Sequence, residues 1–167
     1  FRRVLFRSID TLVNTHANGD HTFGNQLVEG ARIVVAEGTK EDMEHRPPEE
    51  FVRMLKERDK MGAAGAFMWE VMGSRFAFFD GIHYVPPTET FRGEKTIHVG
   101  SKRVELVDVG PAHTRGDVLV HVPADRVVFT GDILFVGGHP AVWAGPVSNW
   151  IDACDRILGW DEIGRAH

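Results

Sequence analysis

Residues 15–21 read Thr-His-Ala-Asn-Gly-Asp-His, and the rest of the chain takes its meaning from this heptapeptide. It follows Ile9-Asp10-Thr11-Leu12-Val13-Asn14, a run extended in character with apolar Ile9, Leu12 and Val13. His16 to His21 therefore form a polar loop at a strand end, a common way to build a site. His16 and Asn18, two residues apart, project the same way while the backbone stays extended. Asp20 and His21, being adjacent, are expected to point apart and serve a second ion. Two further polar clusters also follow predicted strands: His113 in Gly110-Pro-Ala-His-Thr-Arg-Gly-Asp117, and Asp132 in Phe129-Thr-Gly-Asp132. Imidazole nitrogen with carboxylate oxygen is the donor set that zinc prefers and that iron or manganese can also use. The spacing suits two metals a few ångströms apart.

These three segments, in this order, resemble the HxHxDH, third-histidine and bridging-aspartate motifs of the metallo-β-lactamase superfamily. The resemblance covers residues 9–161. It implies an α/β (α+β) fold, the αββα sandwich with a metal site at one edge between the two sheets, here truncated at both ends. Carried across by position, His16, Asn18 and His113 would surround a first metal, Asp20 and His21 would belong to a second, and Asp132 would bridge. Two departures stand out. Asn18 replaces the motif's second histidine, and a neutral amide oxygen is a weaker zinc donor than imidazole. The family's last histidine, normally in a PGHG-like loop after the closing helix, is not reached.

The implied chemistry is hydrolysis of a small-molecule ester, thioester or amide by a metal-activated hydroxide, with zinc, two per intact domain, as cofactor and Asp20 as the catalytic residue orienting the nucleophile. Thr130 to Gly138, TGDILFVGG, resembles glyoxalase II enzymes, which hydrolyse thioesters. Two alternatives stay open: one iron held by His16, His113 and Asp132 in an oxygen-using or redox enzyme, or a non-catalytic binding protein with a degenerate metal site.

The 167 residues suit one domain, and 43% hydrophobic with 26% charged residues is a globular composition. No run approaches the roughly 20 apolar residues of a spanning helix, and 19 basic against 24 acidic side chains leave no nucleic-acid footprint. Neither a membrane nor a nucleic acid is expected as partner. The single cysteine, Cys154, excludes an internal disulfide. Both ends read as non-native: RVLFRS within residues 1–8 and EIGRAH at 162–167 can be encoded by one tract of roughly 17 nucleotides read on opposite strands, as a ligated sequencing adapter would be. That leaves 9–161 as a partial domain.

Along the chain, the pattern predicts a short helix over Thr22 to Val28, a buried strand at Arg32 to Ala36, a helix starting at Thr39 to Met43, and another from Pro47-Pro48 to about Met61. Strands are predicted at Lys95 to Val99, Val104 to Val109, Val118 to Val122 and Arg126 to Phe129, joined as a meander, and a closing helix at Asn149 to Leu158. Phe67, Trp69, Phe76, Phe78, Phe79 and Trp143 are expected to complete the core, with a pocket wall as the alternative. Thr114 and Asp117 are read as bracing the His113 loop, with a cap or turn role as the alternative for Asp117, and His139 as lining the cleft or as an ordinary loop histidine. His45, His83, His98 and His121 lack ligand spacing and are read as surface or satisfied histidines, and Cys154 as a buried structural thiol.

Overall fold

The computed structural model describes residues 9–28, 30–72, 81–160 and 164–166. Its strands form two sheets. In the first, β1 (Thr11–Val13), β2 (Arg32–Ala36) and β3 (Glu89–Phe91) run parallel in that order. In the second, β4 (Glu94–Val99), β5 (Lys102–Asp108), β6 (Val118–Val122) and β7 (Val127–Phe129) form an antiparallel meander. A last strand, β8 (Gly164–Ala166), lies parallel to β7.

Alternation along the strands sorts the apolar side chains into layers, because successive residues face opposite sides of a sheet. Val34 and Ala36 of β2 and Phe91 of β3 meet Ile97, Val104, Leu106 and Val118 of the second sheet in one cluster, so the sheets pack face to face. The intervening residues Ile33 and Val35 turn outward onto Met43 of α2 (Glu37–His45). On the far side, Val107, Leu119 and Val128 cover Trp150 and Ala153 of α5 (Val147–Gly159). The order of layers is helix, sheet, sheet, helix, the sandwich that the resemblance implied. Each fully buried valine or leucine in it contributes about 1.5–3 kcal/mol.

Several boundaries differ from the sequence reading. The motif loop is itself partly helical: α1 spans Gly19–Thr22, with a separate 3-10 turn at Asn25–Val28, because the Asn18 carbonyl accepts from the N–H groups of both His21 and Thr22. The helix expected to reach Met61 ends earlier, as α3 (Pro48–Lys56), and a 3-10 turn at Arg58–Met61 follows Glu57, whose φ of −96° and ψ of 11° leave the helical region. Gly62, its φ of 58° lying in the left-handed region, separates that turn from α4 (Gly62–Met72), a helix that was not predicted. Strand β3 was not anticipated, since its three residues carry too short a pattern.

On α4, Phe67 is 68% exposed and Trp69 lies under the Arg58 guanidinium, 3.9 Å from its ring centre, so neither completes the core as expected. Phe76, Phe78 and Phe79 lie outside the described residues. Cys154 is half-buried against the α5 cluster, where burial pushes its thiol pKa up. His45, His83 and His98 are exposed. His121 is buried, its Nδ1 2.8 Å from Glu105 Oε2 and its ring stacked on Trp160. No described helix is long and apolar enough to cross a membrane.

Candidate metal centre

Three loops leaving β1, β5 and β7 converge at one edge of the sandwich. The β1 loop is held first by backbone: Asn14 N–H donates to the Val34 carbonyl, and Val118 N–H donates to the Thr15 carbonyl. A buried pair of amides then fixes its path. Asn14 and Asn25 exchange two 3.0 Å hydrogen bonds, and Asn14 Nδ2 also donates to the His21 carbonyl. No sequence motif announces this clamp, because its members are eleven residues apart.

The β5 loop is organised by Asp117. Its buried carboxylate accepts from the N–H groups of Ala112 and Thr114 and from the Thr114 hydroxyl, closing the turn that carries His113. Thr39 of α2 adds a 2.6 Å hydrogen bond to the Gly116 carbonyl. The β7 loop approaches through Gly131, whose φ is 51° and where a Cβ would stand 2.8 Å from Thr15 Oγ1. A side chain there would push the loops apart.

His16, His113 and Asp132 are brought together, with one potential ligand atom from each lying within 4.8 Å of the others. Asp132 Oδ2 lies 3.8 Å from His16 Nε2 and 3.5 Å from His113 Nε2, while its Oδ1 lies 3.3 Å from His21 Nε2. One carboxylate thus stands between His21 on one oxygen and His16 and His113 on the other. His21 Nε2 is also 3.4 Å from Asp20 Oδ2. This corrects the expectation that Asp20 and His21 point apart. They sit on a helical turn, where neighbours are rotated by about 100° instead of the 180° of a strand.

The protonation pattern is set by what each ring touches. His113 Nδ1 donates to the Ala141 carbonyl at 2.6 Å, which leaves the Nε2 lone pair turned into the cluster. His16 is 1% exposed and its pKa is pushed down to about 3, first by burial and then by His21 and His113, so it is neutral. Its Nε2 is buried with no hydrogen-bond partner, though its Nδ1 lies 3.2 Å from Thr15 Oγ1. An orphaned imidazole nitrogen buried beside a carboxylate is costly, and a divalent cation between the two satisfies both. The residues fit a metal ion.

Three other expected residues are placed differently. The atom of Asn18 that meets the cluster is Nδ2, donating to His113 Nε2 at 2.9 Å, where an amide oxygen ligand was expected. The lone pair fixed by Ala141 accepts only from a donor, which selects the amide N–H. His139 is exposed, its Nδ1 2.9 Å from the Pro140 carbonyl, and it lines none of the cavities beside the cluster. The loop's backbone approaches the site in its place: besides Ala141, Trp143 N–H donates to the His113 carbonyl. Trp143 itself is 68% exposed and lines a cavity beside Asn18, so it is not in the core.

A sequence model of the metallo-beta-lactamase superfamily matches residues 3–161. The chain belongs to the metallo-β-lactamase superfamily. Within that superfamily it is 42% identical over 50 residues to a hydroxyacylglutathione hydrolase of Mesorhizobium japonicum, covering 30% of this chain and 19% of that protein. It is 23% identical over 148 residues to an acyl-coenzyme A thioesterase of Bos taurus, covering 87% of this chain and 49% of that protein. Its fold is similar to that of a metallo-beta-lactamase family protein from Thermus thermophilus, with a TM-score of 0.60 and 20% identity over 94% of this chain and 53% of that one. The chain spans about half the length of the thioesterase and of the Thermus protein.

Proposed function

We propose that this domain is the metal-binding core of a hydrolase acting on a thioester. The observation that carries the proposal is the convergence of His16 Nε2, His113 Nε2 and the Asp132 carboxylate on one space, with the buried His16 nitrogen unpartnered. The hydroxyacylglutathione hydrolase and acyl-coenzyme A thioesterase among its relatives support a thioester over an ester or amide.

His16, His113 and Asp132 would hold the first ion, zinc being the favoured one with iron or manganese as alternatives. His21, Asp20 and the second oxygen of Asp132 would face another. The bound cation supplies Lewis acidity to the water and to the developing oxyanion. The chain's own residues do the positioning. The Ala141 carbonyl locks the His113 tautomer, and Asp117 fixes the turn beneath it. Asp20, 77% exposed on the open side of the cluster, orients the attacking water and accepts a proton at its carboxylate. Water adds to the thioester carbonyl, the C–S bond breaks, and the products are a carboxylic acid and a thiol.

Thiol release from a short acyl thioester, followed with a disulfide chromogen, tests this. We expect metal-dependent turnover that His113→Ala abolishes. Turnover that survives chelation and His113→Ala would overturn it.

The triad itself favours a second reading. Two histidines and one carboxylate form the only metal-type group among the described residues, and that donor set also suits a mononuclear iron enzyme consuming oxygen. Stoichiometric iron with substrate-dependent oxygen uptake would select this reading.

A further inference from the structure

Two cavities lie on either side of Asn18, whose amide touches His113 of the candidate metal centre. The larger, about 690 Å³, is walled by Phe23, Phe51, Met54 and Met61. The smaller, about 450 Å³, is more polar and is bounded by Thr114, Arg115 and Trp143. Both are lined by Ala17, Asn18 and Arg46, so they open on either side of the residue that touches His113.

The charges in these cavities are not equivalent. Arg53 pairs with Glu50, Lys60 with Glu57, and Arg115 with Asp42 and Glu41. Arg46 is exposed at the C-terminus of α2, where its backbone N–H bonds the Asp42 carbonyl, and its guanidinium makes no ion pair with any described residue. Among the described residues lining the two cavities, it is therefore the cation free to accept an anion from outside the chain. A guanidinium presents a planar fork matched to a carboxylate or phosphate.

We infer that Arg46 is a specificity-determining residue that selects thioesters whose leaving thiol carries an anionic group. The inference rests on the hydrolase reading above. The acyl chain lies in the apolar cavity against Phe23 and Phe51, whose rings are 6.0 Å apart. The carbonyl sits beside Asn18 at the cluster, and the thiol extends into the polar cavity with its anion on Arg46. Burial of alkyl carbons on one side and charge recognition on the other fix the direction in which the substrate binds.

The probes are the hexanoyl thioesters of 3-mercaptopropionate and of its methyl ester, which differ by one charge. Their non-hydrolysable thioether counterparts are 3-(hexylthio)propanoate and its methyl ester. We expect the metal-loaded protein to bind the acidic thioether more tightly than the ester by calorimetry, and to hydrolyse the acidic thioester with the lower KM. Arg46→Gln is expected to remove about a fivefold preference, leaving the neutral probes unchanged, and Arg46→Lys to retain part of it. No preference in the wild type, or equal losses on both probes in Arg46→Gln, would overturn the inference. An Arg46-dependent preference in binding, with neither thioester cleaved, would uphold the anchor and refute the hydrolase reading.

Discussion

Replacing Asn18 by alanine is expected to tighten metal binding, the opposite of what loss of a ligand would do. The Asn18 amide donates to His113 Nε2 at 2.9 Å, and that nitrogen is the atom the metal needs. A protein hydrogen bond of this kind has a net worth of about 0.5–1.5 kcal/mol. The metal must displace it, so its removal lowers the dissociation constant by about two- to tenfold. Asn18→His removes the same bond and adds an imidazole donor, and is expected to bind more tightly than Asn18→Ala. Zinc affinity measured by competition with a chromophoric chelator at fixed pH distinguishes the cases. Weaker binding by Asn18→Ala would show that the side chain ligates through its oxygen, and would refute the reasoning.

Other perturbations test the supporting structure. Asp117→Ala strips the acceptor from three donors of the His113 turn, and we expect the metal-free protein to lose about 2–4 kcal/mol in urea denaturation; unchanged stability would show that the turn holds itself. Gly131→Ala puts a Cβ 2.8 Å from Thr15 Oγ1 at a φ of 51° and is expected to destabilise by about 2 kcal/mol or more, a forecast that a wild-type urea midpoint would contradict. Burial raises the Asp108 pKa from 3.8 to about 6, with the charges of Asp117 and Glu37 adding to the rise against the Gly110 N–H and Arg92. The folded state therefore holds this proton more tightly than the unfolded chain does. This carboxyl's contribution to stability is greatest below pH 3.8, falls as pH rises through that window, and is fully lost above about 6. Asp108→Asn is expected to raise stability at pH 7 by about 1 kcal/mol, discounted for the solvent the carboxylate still meets, and to flatten the pH dependence over that window; an unchanged profile would refute it.

The layers were legible in the sequence where strands carry a nearly continuous apolar run. Val118 to Val122 and Arg32 to Ala36 have their observed bounds because both faces of each strand are buried and apolar. Elements whose partner is distant in sequence were not legible. Strand β3 has three residues and exists through its pairing with β2, some 55 positions earlier. The early end of α3 depends on the backbone of Glu57, which periodicity does not register.

At the site, residue type and position after a strand singled out His16, His113 and Asp132, and the three loop ends do meet. What residue type could not give was orientation. Asn18 turns an N–H toward His113 because the Ala141 carbonyl fixes the ring's lone pair, while His139 turns out and Trp143 lines a cavity on a loop that backbone hydrogen bonds tie to His113 and Ala112. The Asn14–Asn25 clamp and the unpaired Arg46 are likewise properties of contacts, and no local motif marks them.

The metal content of the purified protein tests the central claim most directly. Elemental analysis by plasma mass spectrometry is expected to find at least one zinc per chain, falling to none in His16→Ala and His113→Ala variants that keep the wild-type circular dichroism spectrum. No stoichiometric metal in the wild type, even after incubation with zinc, iron or manganese, would contradict it.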